Sequence, residues 1–286
     1  MRRGHVIAGV LALVLSAGLA ALLFPPLRQA VGIAGSNSEL AASERLFKAA
    51  LQGRPVETDG SGLAVRPAPT AWNGWRIGES EADCRGRGVY LIRTGPSRPL
   101  AITAPHRGSD RHTGTLAAQL FLESAAVAAA WNSAPRRPGP NCAHALDLAK
   151  APQHPFTAFA LAFARQYRDG RIVQLHGFER SKRTTGSVAE AAMVVSDGTT
   201  TPDGNLLDLA DCLSVALAPA PVLVFPHEAR ELGGLTNAQG KALRQSGFQG
   251  FVHLEMSAQL RERLADDREL RGSVLRCLLD RPGASG

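Results

Sequence analysis

The chain has no GxSxG turn, no GxxxxGK[ST] loop and no GxGxxG following a strand-like run. The first absence excludes a serine nucleophile elbow, the second a P-loop nucleotide site, the third a Rossmann-type dinucleotide site. Only four cysteines occur, and none makes a CxxC pair or a Cys/His finger spacing, so a zinc-finger scaffold is excluded as well. Aromatic residues make up 5% of the chain and its basic residues are scattered rather than interleaved with them. The formal charge of +7 therefore does not point to a nucleic-acid partner. It suits an anionic lipid or cell-wall polymer nearby. No repeat of solenoid period is visible. The abundance of Ala, Gly, Pro and Arg is a compositional bias without functional content.

What remains is enough for a globular body: 44% hydrophobic and 20% charged residues can bury a real core. Met1 to His5 is a short basic head, and no charge follows from Val6 to Phe24, where Pro25-Pro26 closes the run. That run is close to the roughly 20 residues a bilayer-spanning helix needs. The expected organisation is a signal anchor or signal peptide over 1–28, a linker over 29–38, and one domain over 39–286. No small-x-small site sits cleanly after a short apolar region, which favours an uncleaved anchor. Arg2 and Arg3 then stay inside and the body faces the periplasm or exterior, or is secreted if cleavage occurs. In such an oxidising compartment Cys84, Cys142, Cys212 and Cys277 favour one or two disulfides, with the connectivity open.

Along the body, Ser36 with Glu39 makes a capping box for a helix that ends at Gly53. The stretch 55–75 reads as loop with a short strand. Strands over 88–93 and 100–106 are placed to pair as a hairpin, and a long Ala-rich helix capped by Thr113 is expected to run to 132. Helix 155–169, strand 171–176, a basic loop over 179–187, strand 191–196, helix 205–218 and strand 222–225 follow. A helix opened by Thr236 with Gln239, strand 250–255 and a helix over 257–279 complete the chain. This alternation predicts an α/β fold with a mostly parallel, mixed sheet and helices on both faces. The strand C-terminal ends then share one edge, where such folds bind ligands.

To that edge the pattern delivers His106 with Asp110, then His176, His227, and His253 with Glu255. His253 and Glu255 are two apart in a strand and share a face. Histidine with a carboxylate in the adjoining turn suits zinc. The layout resembles the zinc amidohydrolases of the phosphorylase/hydrolase-like fold: N-formylglutamate amidohydrolases, phage poly-γ-glutamate hydrolases and, more distantly, zinc carboxypeptidases. Ala104-Pro105-His106-Arg107-Gly108-Ser109-Asp110 is similar to their Pro-His strand end with an acidic ligand in the next turn. Val173-Gln174-Leu175-His176-Gly177 is similar to the strand that supplies their second His. His253-Leu254-Glu255-Met256-Ser257 resembles the last strand with its catalytic Glu, and Arg137 and Asp147-Leu148 resemble the Arg and Asp-Leu of the formylglutamate branch. The resemblance covers about 90–279. It departs at Asp110, where the family usually has Glu, and His112 competes with Asp110 for that place.

The resemblance implies one zinc per chain, held by His106, Asp110 and His176, with Glu255 as general base and then acid. Three protein ligands leave a position for water, and a carboxylate beside it trades the proton. An anionic substrate calls for a guanidinium clamp, expected from Arg136 and Arg137, with Arg107 and Arg111 as alternatives. The expected function is an exported, zinc-dependent amidohydrolase or peptidase acting on an acidic amide: a γ-glutamyl, N-acyl amino acid or cell-wall peptide substrate. The rival is a pseudo-hydrolase that binds an envelope ligand or partner without turnover, favoured by the shortened second ligand.

Overall fold

The computed structural model describes residues 36–58, 60–69, 71–79, 84–137 and 146–280. The expected anchor, most of the linker and Cys142 lie outside the described residues. Among the described residues no helix is long and apolar enough to cross a membrane.

Helix α1 (Asn37–Leu51) opens where Ser36 Oγ accepts the Glu39 N–H at 3.2 Å. The Glu39 carboxylate does not return the bond; it pairs with Arg87 instead. Nine strands then form one sheet: β1 (Ala64–Pro67), β2 (Gly74–Gly78), β3 (Val89–Arg93), β4 (Arg98–Ala104), β5 (Ala126–Trp131), β6 (Arg171–Phe178), β7 (Met193–Ser196), β8 (Val222–Val224) and β9 (Phe251–Ser257). Their spatial order is β1-β2-β3-β5-β4-β6-β9-β7-β8. The central four, β5-β4-β6-β9, are parallel. The β1–β3 meander joins β5 antiparallel, and the β7–β8 pair joins β9 antiparallel.

Helices cover both faces of this mixed sheet. Helices α2 (Thr113–Leu122), α5 (Gly204–Leu217), α7 (Ala258–Asp266) and α8 (Arg268–Leu279) pack Leu116, Phe121, Leu213, Leu260 and Leu275 on one side. On the other, α1, α3 (Pro155–Gln166) and α6 (Ala238–Gln245) pack Phe47, Phe159, Phe163 and Leu243. A short α4 (Gly186–Glu190) lies within the basic loop. Cys212 of α5 is disulfide-bonded to Cys277 of α8, and Cys84 is disulfide-bonded too.

Five expectations are corrected. The strands over 88–93 and 100–106 do not form a hairpin, because β5 lies between β3 and β4. The long helix over 113–132 is a helix and then a strand. Ser124 Oγ donates to the Leu120 carbonyl at 2.6 Å, while the Arg93 guanidinium takes the carbonyls of Phe121, Ser124 and Ala126. These satisfy the last turn of α2 and turn the chain back into the sheet. The run Ala128-Ala129-Ala130 is fully buried there, its small side chains fitting a central strand. Helix α6 is capped by Asn237, not Thr236. The C-terminal helix breaks at Asp267, which ends α7 and caps α8 with its own carboxylate. The reversed direction of β7 and β8 also sends their C-terminal ends away from the edge where β4, β6 and β9 finish.

Candidate metal centre

The parallel register of β6 and β9 sets Gln174 opposite His253 and His176 opposite Glu255. Residues two apart on a strand share a face, so these four polar side chains lie together. They continue the face that starts with Ile172 and Phe251 in the core under α1, α3 and α6. His106 arrives from the neighbouring strand β4. Its carbonyl accepts the N–H groups of Ser109 and Asp110 at 3.0 and 2.8 Å, which makes 106–110 a tight turn. The chain leaves that turn through His112 in a left-handed conformation, φ 72°. Thr113 is the first helical residue, not the cap; its hydroxyl donates to the Asp110 carbonyl at 2.7 Å.

Asp110 Oδ2 lies 3.2 Å from His106 Nδ1 and 3.7 Å from His176 Nδ1, and accepts the Gly177 N–H at 3.0 Å. The far nitrogen of each ring is engaged elsewhere: His106 Nε2 with Asp147 Oδ1 at 2.7 Å, His176 Nε2 with Gln174 Oε1 at 2.8 Å. Asp147 in turn accepts two bonds from Arg136, at 2.8 and 3.1 Å on Oδ2. Both rings thus turn Nδ1 toward the same carboxylate oxygen. Asp147 and Asp110, when ionised, both only accept, so a neutral His106 can donate to just one of them; with the proton on Nε2 for Asp147, its Nδ1 faces the Asp110 carboxylate as a second acceptor.

These are the conditions a divalent cation relieves. Tetrahedral ligands about 2.1 Å from zinc sit about 3.4 Å apart, close to the separations between Asp110 and the two rings. Histidine donors backed by a carboxylate and an amide are the usual second layer of such a site. The donor set therefore fits zinc, and the three groups are all buried.

The charges follow from burial and proximity. Burial works against protonation of His106, but hydrogen bonds and charges from Asp110 and Asp147 outweigh it and raise its pKa. Burial opposes ionisation of Asp147, yet His106 and then Arg136 carry it down to about 2. His176 is held well below its ordinary value by burial, then by the charges of His253, His106 and Arg136. Burial, with His106 adding to it, lowers His253 to about 4. Glu255 is pushed up to about 8, first by burial and then by the charge of Asp110. Its Oε1 is 3.9 Å from His253 Nε2, and its Oε2 has no hydrogen-bond partner among the described residues, nor has His253 Nδ1. The His253 ring stacks on that of His176 at 4.3 Å.

A cleft of about 190 Å³ opens over these groups, bordered also by Arg136, Lys150, Gly234 and Asn237. Four of the residues expected at the site, His106, Asp110, His176 and Glu255, are therefore brought together, with Arg136 at the rim. Arg137 is exposed and does not border the cleft. Arg107 lies over Gly114, and Arg111 approaches Glu262 at 3.8 Å on the surface. His112 is not part of the cluster; Asp110 is. His227 is exposed beyond β8, at the end of the sheet that the reversed strands carry away from the cluster. Sequence reasoning gave no metal-site role to Asp147, Gln174 or Asn237. Gln174 carried a signal, a lone amide in an apolar strand two residues before a histidine. Asp147 carried only its likeness to the Asp-Leu of the formylglutamate branch, and Asn237 is a loop residue that only the fold brings in.

No family model matches the sequence and no curated protein does. Among solved structures the chain is similar to a metallo-carboxypeptidase from Burkholderia cenocepacia, at 14% identity and TM-score 0.43, over 82% of this chain and 66% of that one. It is also similar to a gene product from Agrobacterium tumefaciens, at 14% identity and TM-score 0.42, over 76% of this chain and 92% of that one. The chain spans just under two thirds of the carboxypeptidase's length.

Proposed function

We propose that this chain is an exported, zinc-dependent hydrolase that cleaves an amide or peptide bond of an acidic substrate. One observation carries the reading. Two ring nitrogens and a carboxylate oxygen converge within metal-ligand reach, beside a buried glutamate oxygen with no hydrogen-bond partner among the described residues. His106, Asp110 and His176 hold the metal, with Asp147 orienting His106. Zinc held there would polarise the scissile carbonyl and make a nearby water more acidic. Glu255 would accept a proton from the water as its oxygen adds to the carbonyl carbon, and would return that proton to the nitrogen as the C–N bond breaks. Its pKa of about 8 belongs to the metal-free site; the positive charge of a bound cation would lower it toward neutrality, where a carboxylate can both accept and return a proton. Arg136, already turned toward Asp147, and exposed Lys150 supply positive charge at the rim for a substrate carboxylate.

The Cys212–Cys277 bond fits an oxidising compartment, and the charge-free run from Val6 to Phe24 supplies the tether to the membrane. The substrate class is a γ-glutamyl peptide, an N-acyl amino acid or a cell-wall stem peptide.

The test starts from metal content. The full chain, purified in mild detergent, should carry about one zinc. His176→Ala should lose most of it while keeping its circular dichroism. Full zinc occupancy in that variant sinks the assignment. The zinc-loaded wild type is then offered the three substrate classes. Zinc without turnover of any of them would favour the pseudo-hydrolase, which keeps the site for binding an envelope ligand.

A further inference from the structure

Behind His176 runs a chain of buried amides whose polarity is fixed at both ends. At one end, Gln239 donates through Nε2 to the Leu148 carbonyl at 2.9 Å and to Thr157 Oγ1 at 2.9 Å. A backbone carbonyl can only accept, so the Gln239 amide nitrogen must point there and its oxygen toward Gln174. The 3.3 Å contact between Gln239 Oε1 and Gln174 Nε2 follows. At the other end, Asn237 Oδ1 accepts the backbone N–H of Gly240 at 2.9 Å. A backbone N–H can only donate, so the Asn237 amide nitrogen faces Gln174, where it bonds Oε1. Two independent anchors therefore leave Gln174 one orientation, with Oε1 toward His176. That oxygen is 2.8 Å from His176 Nε2. An oxygen there needs a donor, so the ring proton sits on Nε2 and the Nδ1 lone pair faces Asp110.

We infer that Gln174 is a positioning residue, which fixes the His176 tautomer and thereby aims Nδ1 at the metal site. The inference rests on the metal reading above, and deepens it. It also links the two histidines. His106 is oriented by Asp147, and the amide chain behind His176 ends on the carbonyl of Leu148, the next residue. One short segment thus sets both rings. Gln174, Gln239 and Asn237 are buried, so water does not compete for these bonds.

The experiment reads the tautomer directly. Long-range proton–nitrogen correlation spectra of the metal-free, ¹⁵N-labelled full chain at neutral pH, with His176 assigned by loss of its signals in His176→Gln, should show Nε2–H. Gln174→Met keeps the volume and removes the acceptor. It should give a mixture of tautomers and weaken zinc by about 10- to 100-fold in a chelator competition. Gln174→Glu keeps an acceptor at the same place. It should retain the Nε2–H form and bind zinc within about threefold of wild type, a rescue that a purely packing role would not produce. If Gln174→Met does not fold, the Gln174→Glu tautomer decides. An Nδ1–H signal in the wild type, loss of the Nε2–H form in Gln174→Glu, or wild-type zinc affinity in folded Gln174→Met would each overturn the inference. Should the wild type bind no zinc, the functional reading fails, while the tautomer of the metal-free protein still decides this one.

Discussion

Glu255→Gln separates a proton carrier from a structural ion pair, and the structure sets the size of the effect. The Glu255 pKa rises from 4.5 to about 8 on folding, from burial and then from the Asp110 charge. At about 1.4 kcal/mol per tenfold change in proton affinity, this amounts to about 5 kcal/mol. The folded protein holds the proton more tightly than the unfolded chain does. The contribution is therefore complete below pH 4.5 and is lost as pH climbs through about 8. The glutamine of the variant has no proton to lose over this range. Urea unfolding of the metal-free full chain across pH 4.5 to 9 should show the two proteins nearly equal at the acid end. At pH 9 the variant should be the more stable, by up to about 5 kcal/mol. His106 and Asp110 are present in both proteins, so the difference between them reads Glu255 together with its coupling to those two charges.

The alternative is a Glu255 anion paired with Arg261 or Arg263 of α7. The structure turns Arg261 elsewhere: it donates to the Met256 carbonyl and, at 2.8 Å, to that of Arg111. Were the pair real, Glu255→Gln would be less stable than wild type at pH 9, and that result refutes the reasoning. With zinc restored, the variant should keep its metal and lose hydrolysis by about 100-fold or more, since a proton carrier is not a ligand.

Cys212→Ser opens a disulfide that closes a separation of 65 residues, which should cost about 4 kcal/mol of stability. Mass spectrometry of the non-reduced, denatured wild type should find fewer than four alkylatable thiols, and finding all four would contradict the pairing. Arg136→Ala should raise KM for an acidic substrate by about 10- to 100-fold, the worth of a charged hydrogen bond, while leaving a neutral analogue little affected. Steady-state kinetics on the matched pair checks it, and an equal loss on both substrates would mean that Arg136 acts only through Asp147.

The strands that carry the site were legible because their sequences leave few alternatives. Val173 to His176 and Phe251 to Glu255 are apolar runs flanked by Gly170 and Gly250, too short for helices, each ending in polar residues. The pair His253 and Glu255 share a face by the strand period alone. The Ala-rich stretch from 113 to 132 was not legible. Alanine is the best helix former and also small enough for a central strand, so periodicity could not find the break at Ser124. Nor could it place Arg93, which caps α2 from a strand 28 residues earlier in the chain. Strand direction was hidden too. The connections into β7 and β8 look like any strand–helix alternation, but β7 enters antiparallel to β9. That reversal is why His227, which ends its strand as His176 nearly does, falls outside the cluster.

The missing methylene at Asp110 reads differently once the backbone is considered. A shorter acid reaches less far, which in the sequence counted toward a site without metal. In the structure the backbone makes up the distance. Asp110 N–H bonds back to the His106 carbonyl, four residues earlier, so the two side chains rise from one side of a single turn. Gly177 then brings its N–H to 3.0 Å from Asp110 Oδ2. A side chain at that position has no room, because an added Cβ would lie 2.0 Å from an Arg261 guanidinium nitrogen. Arg261 is itself fixed by the Met256 and Arg111 carbonyls, one at the end of β9 and one in the turn that carries Asp110. The carboxylate is thus held from His106, from Gly177 and, through Arg261, from the far side of its own turn. The turn and the short acid fit each other, and the length of the side chain is no evidence against a metal.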